Sequence, residues 1–126
     1  MVTKTTKETK KVDTKVIDAT GRTLGRIASE IAISLLGKDK TTFKRNVLSG
    51  GPVKIINAAK LRASQKRLEG IYHTRYSGMP GGLRILKGTE TVEKKGMKEL
   101  IRLAVYRMLP SNKLRKAMMK NLTIED

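Results

Sequence analysis

The most regular feature of the chain is a run of apolar residues at Leu24, Ile27, Ala28, Ile31, Ala32, Leu35 and Leu36. Three-and-four spacing puts them along one stripe of a helix, with Arg26, Ser29, Glu30 and Ser34 facing away. Thr23 fits the N-cap and Gly37 the left-handed position that closes such a helix. Ahead of it, "KVIDA" at 15–19 is a β-branched run broken by Thr20-Gly21, the pattern of a buried strand ending in a turn. Behind it, "SGGP" at 49–52 turns the chain into "VKIIN" at 53–57, a second strand. Strand, helix and strand in that order require a crossover, and so predict a parallel pair.

Further along, "AAKLRASQKRLEG" predicts one helical turn at Ala58–Leu61 followed by irregular structure. "IYHTRY" reads as a third strand or as a ribbon leading into a glycine-rich loop. Helical signals return near Thr89, and an apolar stripe from about Lys98 carries Leu100, Ile101, Leu103, Ala104, Val105, Met108 and Leu109. Gly96 breaks that helix in front and Pro110 halts it. Ser111 or Asn112 then caps a last short helix with Leu114, Ala117, Met118 and Leu122. No fixed-period repeat is present. The pattern predicts an α/β fold with a helical C-terminal part: a basic flexible arm over residues 1–14 and a single domain over 15–126.

Charge changes the picture. Across 126 residues, 28 Lys and Arg stand against 11 Asp and Glu, a formal net charge of +17. A compact chain repels itself at such a charge, which points to a polyanionic partner. The excess is also uneven. Residues 60–87 hold seven cations and one acid, and residues 107–120 hold five cations and no acid. Residues 1–15 and 38–45 each add +3, and the rest of the chain is neutral in sum. Surfaces that are merely solvated intersperse acids among their cations. Candidate partner-facing cations are therefore Lys38, Lys40, Lys44, Arg45, Lys60, Arg62, Lys66, Arg67, Arg75, Arg84, Lys113, Arg115 and Lys116.

The partner class follows from what accompanies the charge. Membrane lipid is disfavoured, since no basic amphipathic helix has an aromatic or leucine insertion face, and no apolar run approaches the roughly 18 residues of a membrane span. Aromatics are 3% of the chain (Phe43, Tyr72, Tyr76 and Tyr106), too few for a single-strand stacking platform. Backbone and shape recognition of folded RNA suits arginines that fork onto phosphates and glycines that let the main chain approach. "YSGMPGGL" at 76–83 fits that use: Gly78, Gly81 and Gly82 lack a Cβ, Pro80 restricts the loop, Ser77 offers a hydroxyl, and Arg75 and Arg84 flank it. Replacing Arg75 or Gly81 is expected to weaken RNA binding with little effect on the free fold.

Catalytic constellations are nearly absent. The chain has no cysteine, so disulfides and thiolate metal sites are excluded, and its one histidine, His73, has only scattered carboxylates for company. No cofactor and no small-molecule substrate are expected. "TGRTLGR" after the first strand invites comparison with a phosphate-cradling turn, but it lacks the GxG pair of a dinucleotide site. We read Gly21 as making the turn and Gly25 as letting the helix lie close on the sheet. A small nucleotide- or RNA-processing enzyme using this turn is the alternative from another class, and an mRNA-binding regulator is a third.

"VIDATGRTLGRIASEIAISLLGKDK", "VKIINAAKL", "RYSGMPGGL" and "MLPSNKLRKAMMKNL", in this order and at this spacing, resemble the bacterial form of the ribosomal protein L13 family of the large subunit. The likeness runs from about Lys15 to Leu122. It implies a three-layer α/β/α domain around a small, mostly parallel sheet, bound to 23S-type large-subunit rRNA beside neighbouring ribosomal proteins, in a cytoplasmic or organellar ribosome. Carried over motif by motif, it implies RNA-facing roles for Lys38, Lys40, Arg75, Tyr76, Ser77, Gly78, Pro80, Gly81, Gly82, Asn112, Lys113 and Arg115. Asn57, at the end of the second strand, matches a structural position. Tyr76 and Met79 stand where the family commonly has histidine and tyrosine.

Overall fold

A computed structural model describes residues 14–126; apart from Thr14, the basic arm lies outside the described residues. Strand β1 (Lys15–Asp18), helix α1 (Leu24–Leu36) and strand β2 (Val53–Ile56) form the expected unit, and β1 and β2 pair in parallel with Ile17 opposite Ile55. A third strand, β5 (Leu122–Ile124), adds in parallel to the other edge of β2, so the most apolar strand is central. Between them come a 3₁₀ turn (Ala58–Lys60), α2 (Gln65–Glu69), β3 (Tyr72–Tyr76), β4 (Leu83–Lys87), α3 (Gly88–Met108) and α4 (Leu114–Lys120). The α/β class, the small parallel sheet and the helical C-terminal part agree with the sequence.

Side-chain alternation decides which sheet face is packed. Ile17, Val53 and Ile55 share one face and are buried against Ile27, Ile31 and Leu35 of α1, Ile101 and Val105 of α3, and Met118 of α4. The other face carries Val16, 57% exposed, and a Lys54–Glu125 ion pair. Of the three expected layers, the described residues thus supply the sheet and the helices on one side of it. Ser34, expected to face solvent, is buried. Its hydroxyl accepts from Lys15 Nζ at 2.8 Å and donates to the Glu30 carbonyl at 3.1 Å, which satisfies it inside the helix-sheet interface.

Other expectations changed where a distant partner intervened. Leu122 was expected on the last helix; instead the helix ends at Lys120 and residues 122–124 complete the sheet, because β2 offers them an open edge. Of its two expected forms, "IYHTRY" takes the ribbon leading into the glycine-rich loop. It pairs antiparallel with β4 as a separate two-stranded ribbon. Gly96 (φ 77°) breaks α3 as expected, although helix extends back to Gly88. Gly25 does not permit close packing, since a Cβ there would meet nothing within 4 Å. Gly21, with φ +66°, does make the turn.

Candidate nucleic-acid interface

Among the described residues four ion pairs form: Arg22–Glu30 (2.7 Å), Lys54–Glu125 (2.8 Å), Lys98–Asp126 (2.8 Å) and Arg102–Glu99 (3.7 Å). All four cations come from the part of the chain that is neutral in sum. Among the described residues none of the candidate RNA-facing cations enters an ion pair, and all except the half-buried Arg115 are exposed.

Folding gathers these cations only in part. Lys38, Lys44 and Arg45, from the loop after α1, line a cleft of about 470 Å³ with Asn112, Met108 and Pro110, so two segments far apart in sequence share one wall. Arg75 and Lys116 line a larger groove of about 940 Å³ between the ribbon and helices α3 and α4. Lys94, Lys95, Arg102, Arg107 and Lys120 join them there. Sequence reasoning passed over these five. Arg107 and Lys120 lay in an acid-free run that flagged them, whereas Lys94, Lys95 and Arg102 were hidden among acids, of which Glu90 and Glu99 line the same groove. Lys40, Lys60, Arg62, Lys66, Arg67, Arg84 and Lys113 are exposed but line neither cleft.

The glycine-rich segment is the tip of the ribbon. Ser77 N–H donates to the Gly82 carbonyl at 3.4 Å, Gly82 N–H to the Met79 carbonyl at 3.0 Å, and Met79 N–H to Ser77 Oγ at 3.5 Å. Gly78 (φ +86°) and Gly81 (φ +75°) take left-handed conformations with open space where a Cβ would stand, while at Gly82 a Cβ would collide with the Ser77 side chain. Tyr76, Ser77, Gly78, Pro80 and Gly81 are exposed. The turn therefore needs its glycines for its own geometry as well as for access, which corrects the expectation that replacing Gly81 spares the free fold. One ribbon face also exposes Tyr72, Tyr76, Leu83 and Ile85, so two of the chain's four aromatics stand together in solvent, a grouping that composition concealed.

Several candidates have work within the protein. Arg115 donates through Nε to the Pro110 carbonyl and through Nη2 to the Leu109 carbonyl, both at 3.0 Å, and its guanidinium lies 4.4 Å from the Tyr106 ring centre. It holds the end of α3. Asn112 Oδ1 accepts from the Arg115 N–H at 3.1 Å, as the expected cap of α4. Asn57 is structural: it adopts φ 57° and its amide donates to Asp18 Oδ1 at 3.2 Å. The N–H and hydroxyl of Thr20, then Asn57, hold the Asp18 carboxylate below its ordinary 3.8.

The first three donors of the turn after β1 are taken within the chain. Thr20 N–H goes to Asp18 Oδ1, Gly21 N–H to the Lys60 carbonyl and Arg22 N–H to the Ala19 carbonyl. His73 is 8% exposed, opposite Leu86 in the ribbon, and neither ring nitrogen has a hydrogen-bond partner among the described residues. Burial, then the nearby Arg107 charge, lowers its pKa below the ordinary 6.5, so the ring is neutral at pH 7.

The fold and the surface define a small basic α/β protein whose charge stands apart from its ion-paired scaffold. A family model described as ribosomal protein L13 matches residues 13–124. Large ribosomal subunit protein uL13 of Aquifex aeolicus is 47% identical over 109 residues, covering 86% of this chain and 75% of its own length. The uL13 of Geobacter sulfurreducens is 40% identical over 125 residues, 96% of this chain and 87% of that protein. That of Clostridioides difficile is 43% identical over 109 residues, 86% and 76% respectively. The chain belongs to the ribosomal protein L13 family, whose named members here are ribosomal proteins and not enzymes.

Proposed function

We propose that the chain is a structural constituent of the large ribosomal subunit that binds 23S-type rRNA through its two basic clefts and the glycine tip of its ribbon, supporting subunit assembly and translation. Residues 15–126 act as one rRNA-binding domain, the arm over 1–14 adds charge, and neighbouring large-subunit proteins complete its surroundings. One observation carries the reading: among the described residues the ion pairs take only Arg22, Lys54, Lys98 and Arg102, so that every other cation lining the clefts, and both ribbon arginines, stay exposed and unpaired. Such a surface gains affinity by releasing counterions from a phosphate backbone. If each basic segment makes two or three contacts, about 10 phosphates are engaged, and log affinity falls against log salt with a slope of roughly −7 to −9. Titration of a large-subunit rRNA fragment at several salt concentrations measures it. A slope shallower than about −2 would overturn the proposal, as would loss of the protein from large subunits in a moderate salt wash.

A further inference from the structure

We infer that Arg75 and Arg84 act as a single clamp on one backbone phosphate of the bound RNA, a deepening that rests on the function proposed above. In the ribbon register Arg75 lies directly opposite Arg84. Directly opposed residues of an antiparallel pair point to the same face with Cβ atoms about 4.5–5.5 Å apart, and like charges so placed repel. Nothing on the ribbon relieves them. Their neighbours on the same face, His73 with Leu86 toward the base and Ser77 with Gly82 toward the tip, are uncharged at pH 7, and neither arginine enters an ion pair among the described residues.

Both side chains are exposed, so the repulsion is met by solvent and salt in the free protein and by an anion in the complex. A phosphodiester suits the gap. It has one negative charge and two free oxygens, and each guanidinium can donate to them through its planar fork. The next cross-strand pair, Tyr76 with Leu83, leads directly into the tip. There the N–H groups of Gly78 and Gly81 take no part in the turn's own hydrogen bonds, which leaves main-chain donors beside the same strand of RNA.

The test uses the full chain and a large-subunit rRNA fragment, with Arg75→Gln, Arg84→Gln and the double variant. Each single change lowers affinity about tenfold and the double change scarcely more, while the salt slope of the double variant falls by about 1. In the free protein at low salt, Arg84→Gln raises Tm by about 1–4 °C because the repulsion is gone, and added salt erases the gain. Losses that multiply toward a hundredfold with a slope change of about 2 would show two independent contacts and overturn the clamp while leaving RNA binding intact. Unchanged affinity in either single variant, or a lower Tm for Arg84→Gln, would also overturn it. Failure of the unmodified chain to bind the rRNA would instead overturn the function proposed above, and the clamp with it.

Discussion

Leu35, Ile55 and Ile101 are completely enclosed between the sheet and helices, whereas Tyr76, Leu83 and Ile85 of the ribbon are 64%, 58% and 55% exposed. The same contrast holds for charge: Arg22, Lys54 and Lys98 of the scaffold find carboxylates, while the ribbon sets Arg75 opposite Arg84. An isolated two-stranded hairpin is marginal in water. This one is held at its base, where Gly88 N–H donates to the Ile71 carbonyl at 2.8 Å and Arg107 reaches the Tyr72 carbonyl at 3.3 Å. One region satisfies itself, and the other is pinned at one end and left open to solvent.

The contrast breaks most visibly through the core. Ile31→Ala should cost about 2–5 kcal/mol of stability by denaturant unfolding and leave the salt slope of RNA binding unchanged. If the slope moved as well, the two regions would not be separable. Changing Lys44 and Arg45 together to Ala should do the reverse: affinity falls about tenfold or more, the salt slope drops by about 1 to 2, and the unfolding midpoint holds.

Two glycines sharpen the comparison within one kind of substitution. Gly81→Ala meets no atom but must hold φ +75°, and should destabilise by about 1 kcal/mol. Gly25→Ala lies in an open helical position and should stabilise by about 0.5–1 kcal/mol. Equal signs in thermal unfolding would show that backbone conformation is not what separates the sites.

His73 gives a pH handle on the junction between the regions. Its folded pKa is lowered, so below 6.5 the unfolded chain binds a proton that the folded chain resists. Its contribution is therefore fully present above 6.5 and is lost as pH falls from there through the lowered folded value. His73→Leu should remove that decline from a stability–pH curve, while the separate loss from Asp18 below 3.8 stays. Least of all should change with Glu30→Ala: the Arg22–Glu30 pair is exposed, and its loss should shift stability by about 0.2–1 kcal/mol in the same unfolding measurement.

What was legible in the chain was whatever local spacing decides. The stripe from Leu24 to Leu36, the stop at Pro110 and the parallel pairing of β1 with β2 follow from periodicity, φ restriction and crossover geometry. The candidate cations were legible as residues, because a run without acids is visible in one dimension. Their grouping was not: Asn112 meets Lys38, Lys44 and Arg45 only because α1 and α3 pack together, and Arg115 turned inward because the carbonyls ending α3 lay within its reach.

The sequence by itself determined the α/β class, the principal helices and the imbalance of charge, since helix faces and net charge depend on residue order and composition alone. Only the tertiary structure decided that Leu122–Ile124 is a strand, that Arg75 stands opposite Arg84, and which cations are neutralised. Pairing between residues distant in the chain depends on which edges and carboxylates folding brings within reach. That reach is fixed by the packing of the whole core.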